Sequence, residues 1–136
     1  MSWIDSVLER TSRTLRFKSV GIRSQSNAVR LLNTVPVELD LFFHSDISSA
    51  NYLILAETAS GLKESLQVNV IAGISEDRLS YQGRISIYGR VNFGTSLLDI
   101  TASVDASRCA IMASPLVSEA VQVKVFPIYM ETIYGS

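Results

Sequence analysis

Apolar residues recur at every second position in five separate stretches of this chain, and that repetition restricts it to a β fold. Val35, Val37, Leu39, Leu41 and Phe43 point one way, while Glu38, Asp40 and His44 point the other. The same alternation returns at Leu66, Val68, Val70 and Ala72, and at Ile85, Ile87, Gly89, Val91 and Phe93. It returns again at Leu98, Ile100, Ala102 and Val104, and at Val121, Val123 and Val125. Successive side chains of a strand face opposite sides, so each stretch offers one apolar face to a core and one polar face outward. Pro36 suits the start or the edge of a sheet, since it has no N–H to donate to a ladder. Turn residues separate the stretches at Gly73 to Asp77, at Gly94-Thr95-Ser96 and at Ala113-Ser114-Pro115. The pattern predicts an all-β body of antiparallel strands, packed as a β-sandwich or closed as a barrel.

Two stretches could add helix. Asp46-Ile47-Ser48-Ser49 could cap a helix running through Tyr52, Leu55 and Ala59 to Gly61. Tyr52-Leu53-Ile54-Leu55 also reads as a buried strand, and periodicity alone does not choose. Ser114-Pro115-Leu116-Val117-Ser118-Glu119 has the cap and early proline of a single helical turn.

The N-terminal stretch has a different period. Ile4, Leu8, Thr11 and Leu15 fall on one helical face, broadened by Trp3 and Val7. Ser2 and Asp5 resemble a capping box, Glu9 and Arg13 stand four apart, and acids precede bases as the helix dipole favours. An amphipathic helix over about residues 3–16 follows. The chain is thus expected to divide into a helical arm at 1–18, a joint at 19–34 around Gly21 and Ser24-Gln25-Ser26-Asn27, and a β domain at 35–136.

Charge divides at the same place. The whole chain of 136 residues carries a net −1. Residues 1–30 hold six bases against two acids, a net +4, and residues 31–136 hold six bases against eleven acids, a net −5. Only 18% of residues are charged while 47% are hydrophobic, which suits a subunit that buries much of its surface in contacts. The single cysteine, Cys109, forms no internal disulfide and sits in an apolar run, the setting of an inert core thiol. Charges at Asp5, Glu9 and Arg10 interrupt any secretory leader, and no apolar run approaches the ~20 residues of a membrane span. Synthesis and folding in the cytoplasm are expected, with the virion as destination if the protein is viral.

Chemistry-bearing motifs are scarce. His44 is the only histidine; the neighbours in Phe43-His44-Ser45-Asp46 point to alternate sides of a strand, so these triad letters cannot converge. There is no Gly-x-Ser-x-Gly, Cys-x-x-Cys or His-Glu-x-x-His, and no calcium or phosphate loop. The sequence therefore predicts no catalytic residues, no metal and no cofactor. Leu39-Asp40-Leu41 and Leu98-Asp99-Ile100 match at an offset of 59, as two strands of one sandwich can by chance.

Two groups of residues are candidates for binding a partner. On one strand, Arg84, Ser86, Tyr88, Arg90 and Asn92 alternate with the apolar row, and Arg84, Tyr88 and Arg90 could form an interface patch or grip single-stranded nucleic acid. In the arm, Trp3 and Ile4 are apolar anchors beside Arg10, Arg13, Arg16 and Lys18. The expectation is a non-enzymatic structural subunit of a multi-copy assembly, such as a viral capsid, decoration, connector or tail component. Its partners would be copies of itself and other subunits, held by the arm. A single-stranded nucleic-acid-binding barrel and a small-ligand barrel are the alternatives. The net −5 of the body counts against nucleic acid.

Overall fold

The computed structural model describes residues 35–134 and, ahead of them, the backbone of four short strands. Those four are β1 (Leu8–Thr11), β2 (Thr14–Phe17), β3 (Ile22–Gln25) and β4 (Asn27–Leu31). The body follows as β5 (Val37–Phe43), β6 (Ile47–Thr58), β7 (Lys63–Ile74) and β8 (Tyr81–Asn92). It ends with β9 (Leu98–Val104), β10 (Arg108–Pro115) and β11 (Val121–Glu131).

All pairings are antiparallel and form two sheets. The larger runs β1-β2-β3-β11-β6-β7-β8, with β4 also on β11, and the smaller runs β5-β10-β9. One flank of β11 pairs with β6 along its whole length; the other pairs with β4 at Val121–Val125 and with β3 at Ile128–Met130. The core lies between the sheets. From the large sheet come Tyr52, Ile54, Ala56, Leu66, Val68, Val70, Val121, Val123 and Val125; from the small sheet come Phe42, Leu98, Ile100, Cys109, Ile111 and Ala113. The predicted all-β body is thus a two-sheet sandwich.

The stretch that read either way is strand β6. It is bonded on both flanks, and the hairpin to β7 closes where the Thr58 N–H donates to the Leu62 carbonyl and Gly61 takes a φ of +100°, a conformation that costs glycine little. Residues 116–119 form bends rather than a helical turn.

The helical arm expected over residues 1–18 is not borne out where it is described. Leu8–Thr11 and Thr14–Phe17 are paired strands, with Leu8 opposite Phe17 and Glu9 opposite Arg16. A lone helix of this length is marginal in water, whereas strands that extend an existing sheet have their backbone groups paired. The rest of that stretch, including Trp3, Ile4, Arg13 and Lys18, lies outside the described residues.

Two bulges correct the simple alternation. In β5, Asp40 pairs with Ile111 and Glu38 with Met112, so Leu39 is an extra residue. A bulge of one residue reverses the phase beyond it. Leu39, Asp40 and Phe42 are therefore buried, and Phe43, expected inside, is exposed. In β8, Gln67 pairs with Gly89 and Val68 with Ile87, so Tyr88 is the extra residue, with the consequences described next.

Candidate interaction surface

The bulge at Tyr88 divides the row in which Arg84, Ser86, Tyr88, Arg90 and Asn92 were expected to stand together. Arg84 and Ser86 pair with Ile71 and Asn69 on the outer side of the large sheet. Beyond the bulge, Arg90 pairs with Leu66 and Asn92 with Glu64, both on the core side. The Tyr88 hydroxyl stays outside and donates to Asn51 Oδ1 at 3.3 Å, an atom that also accepts from Asn69 Nδ2 at 3.1 Å. Arg84 and Tyr88 therefore share an exposed face, and Arg90 does not join them.

Arg90 is committed to a buried carboxylate that the sequence did not single out. Its Nη1 donates to Glu64 Oε2 at 3.0 Å and to the Leu98 carbonyl at 3.1 Å. Asn92 Nδ2 donates to the same Oε2 at 2.8 Å, while the N–H groups of Leu97 and Leu98 donate to Oε1 at 3.0 and 3.1 Å. Burial works to raise the Glu64 pKa, but the bonds from Asn92, Leu97, Arg90 and Leu98 outweigh it and hold the carboxyl below its ordinary range. The cradle ties β7, β8 and the start of β9 together. The only sequence signal for it is an acid in the phase of the core row Leu66, Val68 and Val70.

The same phase reversal carries Val91 outward, where its backbone pairs with Ser65. Val91 and Phe93, expected in the core, are 72% and 79% exposed. With Leu55, Lys63 and Ser65 they line a notch of about 150 Å³ at one end of the large sheet. The outer face continues across β6 and β11 with Leu53, Phe126, Ile128 and Met130. Phe126 stands opposite Leu53, and Leu53 is 47% exposed. Charges stand among these residues: Lys63 opposite Glu57, Lys124 opposite Leu55, and Arg84 opposite Ile71. Tyr52-Leu53-Ile54-Leu55 is apolar at both phases, the pattern of a strand covered on both sides. In this chain Tyr52 and Ile54 are buried, and Leu53 and Leu55 are on the uncovered side.

The outward face of the small sheet has a similar plan with the opposite charge. Its register sets Leu41, Ala110 and Ser103 side by side and places Glu38, Met112 and Thr101 in the row two residues along, with Asp99 opposite Ser114 beyond. Glu38 and Asp99 are exposed, and Arg108 at the other end pairs with Asp105 at 3.4 Å.

Other reactive groups are engaged in the fold. Asp40 Oδ2 accepts from the Tyr52 and Tyr129 hydroxyls at 2.8 and 2.6 Å inside the sandwich. Cys109 is a free, buried thiol, and burial, with the charge of Asp40, pushes its pKa up to about 11. His44 Nε2 donates to the Asp105 carbonyl at 3.0 Å, its ring stacks on Tyr81 at 4.7 Å, and its N–H donates to the Ser107 carbonyl. His44-Ser45-Asp46 is the corner where the chain crosses between sheets, closed by the Asp46 N–H on the Phe43 carbonyl. Among the described residues, no group of three or more His, Cys, Asp or Glu could hold a metal ion, and no helix is long and apolar enough to cross a membrane.

The fold and its surfaces define the chain as an antiparallel two-sheet sandwich with exposed apolar side chains on the outer face of its large sheet. No protein-family model and no curated protein matches the sequence. Among solved structures the fold is similar to the tailspike protein of the Acinetobacter phage vB_ApiP_P1, with a TM-score of 0.51 and 14% sequence identity. The match covers 79% of this chain and 22% of the tailspike chain, so the likeness extends over about a fifth of that protein.

Proposed function

We propose that this chain is a non-enzymatic structural subunit of a multi-copy assembly, specifically a virion component of the tail, connector, decoration or capsid type. It is made in the cytoplasm and incorporated into the particle. The observation that carries this reading is the composition of β6: a central strand apolar on both sides, with Leu53 and Leu55 on the side its own fold leaves uncovered. Strands of that kind belong between two covering layers, and a neighbouring subunit supplies the missing one. The similarity in fold to a phage tailspike adds support for a virion role. Residues 1–18, with Trp3, Ile4 and the bases Arg10, Arg13, Arg16 and Lys18, contribute a second contact to neighbouring subunits.

The nucleic-acid reading loses ground with Arg90, because the pair meant to flank Tyr88 is reduced to Arg84. Native mass spectrometry tests the proposal. A defined multimer is expected at micromolar concentration, and a monomer at every concentration would overturn it. Steeply salt-dependent binding of single-stranded DNA in an anisotropy titration would instead favour the alternative.

A further inference from the structure

We infer that the outer face of the large sheet is covered by the outward face of the small sheet of a second copy, so that sandwiches join head to tail. The inference rests on the multi-copy reading and specifies its contact. The argument is complementarity. Among the described residues, the large-sheet face carries Leu53 and Leu55 with three cations, Lys63, Lys124 and Arg84, against one acid, Glu57. The small-sheet face is centred on the half-buried Leu41, Ala110 and Met112 beside Ser103 and Thr101, with the exposed acids Glu38 and Asp99 towards one end.

The same charges argue against a symmetric pairing. Two large-sheet faces brought together would oppose cation to cation, so a symmetric contact through this face is disfavoured. The chain's own β1 to β4 are already strands of that sheet. A contact between two different patches does not exhaust itself in a dimer: each added copy presents a fresh face, which gives a ring or an open stack.

The test exchanges the charges. Lys63→Glu with Lys124→Glu is expected to reduce the assembly to monomers in native mass spectrometry, with an unchanged far-UV spectrum. Adding Glu38→Lys and Asp99→Lys to that chain reverses both faces and is expected to restore the wild-type mass. Carbodiimide coupling of the unmodified protein gives an independent reading, since it joins only a lysine and a carboxylate in direct contact. Lys63 or Lys124 linked to Glu38 or Asp99 is the expected product, and because these lie on opposite outer faces of one chain, the link must run between copies. A wild-type multimer that survives the single-face reversal, or whose couplings all lie elsewhere, overturns this contact and leaves the multi-copy reading standing. A wild-type monomer overturns both.

Discussion

The guanidinium of Arg90 reaches inward to Glu64, with Nη1 3.0 Å from Oε2, and this pair holds Arg90 away from the exposed face on which Arg84 and Tyr88 stand. The Glu64 side chain has no solvent exposure while that of Arg90 retains 30%. The pair is therefore anchored in the core and opens toward the rim. A charge turned inward, like a bulge, also discourages indiscriminate pairing along an edge strand, and β8 has both.

Removing the Glu64 charge is expected to unsettle the sandwich. Glu64→Gln replaces an acceptor of four donors with a group that has hydrogens of its own and leaves Arg90 without its ion. A loss of about 3 kcal/mol is expected, the lower end for a broken buried pair because Arg90 is partly solvated. Arg90→Ala, which leaves three donors on Glu64, should cost about 1–3 kcal/mol. Arg84→Ala, on the exposed face, should stay within about 0.5 kcal/mol. Urea unfolding of the three variants measures this order, and equal effects at Arg84 and Arg90 would contradict it.

Asp40 gives stability an unusual dependence on pH. Burial raises its pKa above the ordinary 3.8, against the lowering effect of the Tyr129 and Tyr52 hydroxyls and the Leu41 N–H. Between 3.8 and the raised native value, the folded protein holds this proton more tightly than the unfolded chain. The contribution of Asp40 is therefore fully present below 3.8 and declines as pH rises through its native pKa. Glu64, with its lowered pKa, acts in the opposite sense: its contribution is present above 4.5 and is lost in acid. Asp40→Asn should abolish the first component. The difference in urea midpoint between wild type and variant should change between about pH 4 and pH 8, and a constant difference would refute the assignment.

Gly83 marks the close approach of the two sheets. A Cβ built there would stand 2.5 Å from Val104 Cγ2 and 3.7 Å from the Ala102 Cβ. Gly83→Ala should cost about 1–3 kcal/mol through overpacking. Val104→Ala should relieve part of that cost in the double variant, with a coupling of about 0.5–3 kcal/mol in the cycle. Strict additivity would show that β8 and β9 do not touch there.

Cys109 should behave as a reporter of unfolding. With its pKa pushed up to about 11 and its side chain buried, almost none is thiolate near neutrality. Labelling by an aromatic disulfide is expected to be immediate in denaturant and orders of magnitude slower in the native protein. Fast native labelling would mean that the small sheet opens readily.

The sequence by itself determined the class of fold and much of the core. Leu66, Val68, Val70, Leu98, Ile100, Val121, Val123 and Val125 are buried as their alternation requires, because within an unbroken ladder the side-chain period is two. It did not determine phase across a bulge. One extra residue at Leu39 and one at Tyr88 exchange inside for outside over the rest of β5 and β8, and nothing local in either stretch marks the insertion; it exists only in register with the partner strand. For the same reason Glu64, an acid in an apolar row, became legible only when Arg90, Asn92 and two backbone N–H groups from a later turn converged on it. The doubled apolar phase of Tyr52–Leu55 lies between these cases. Its composition calls for cover on both sides, and only the tertiary structure decided which side this chain covers for itself.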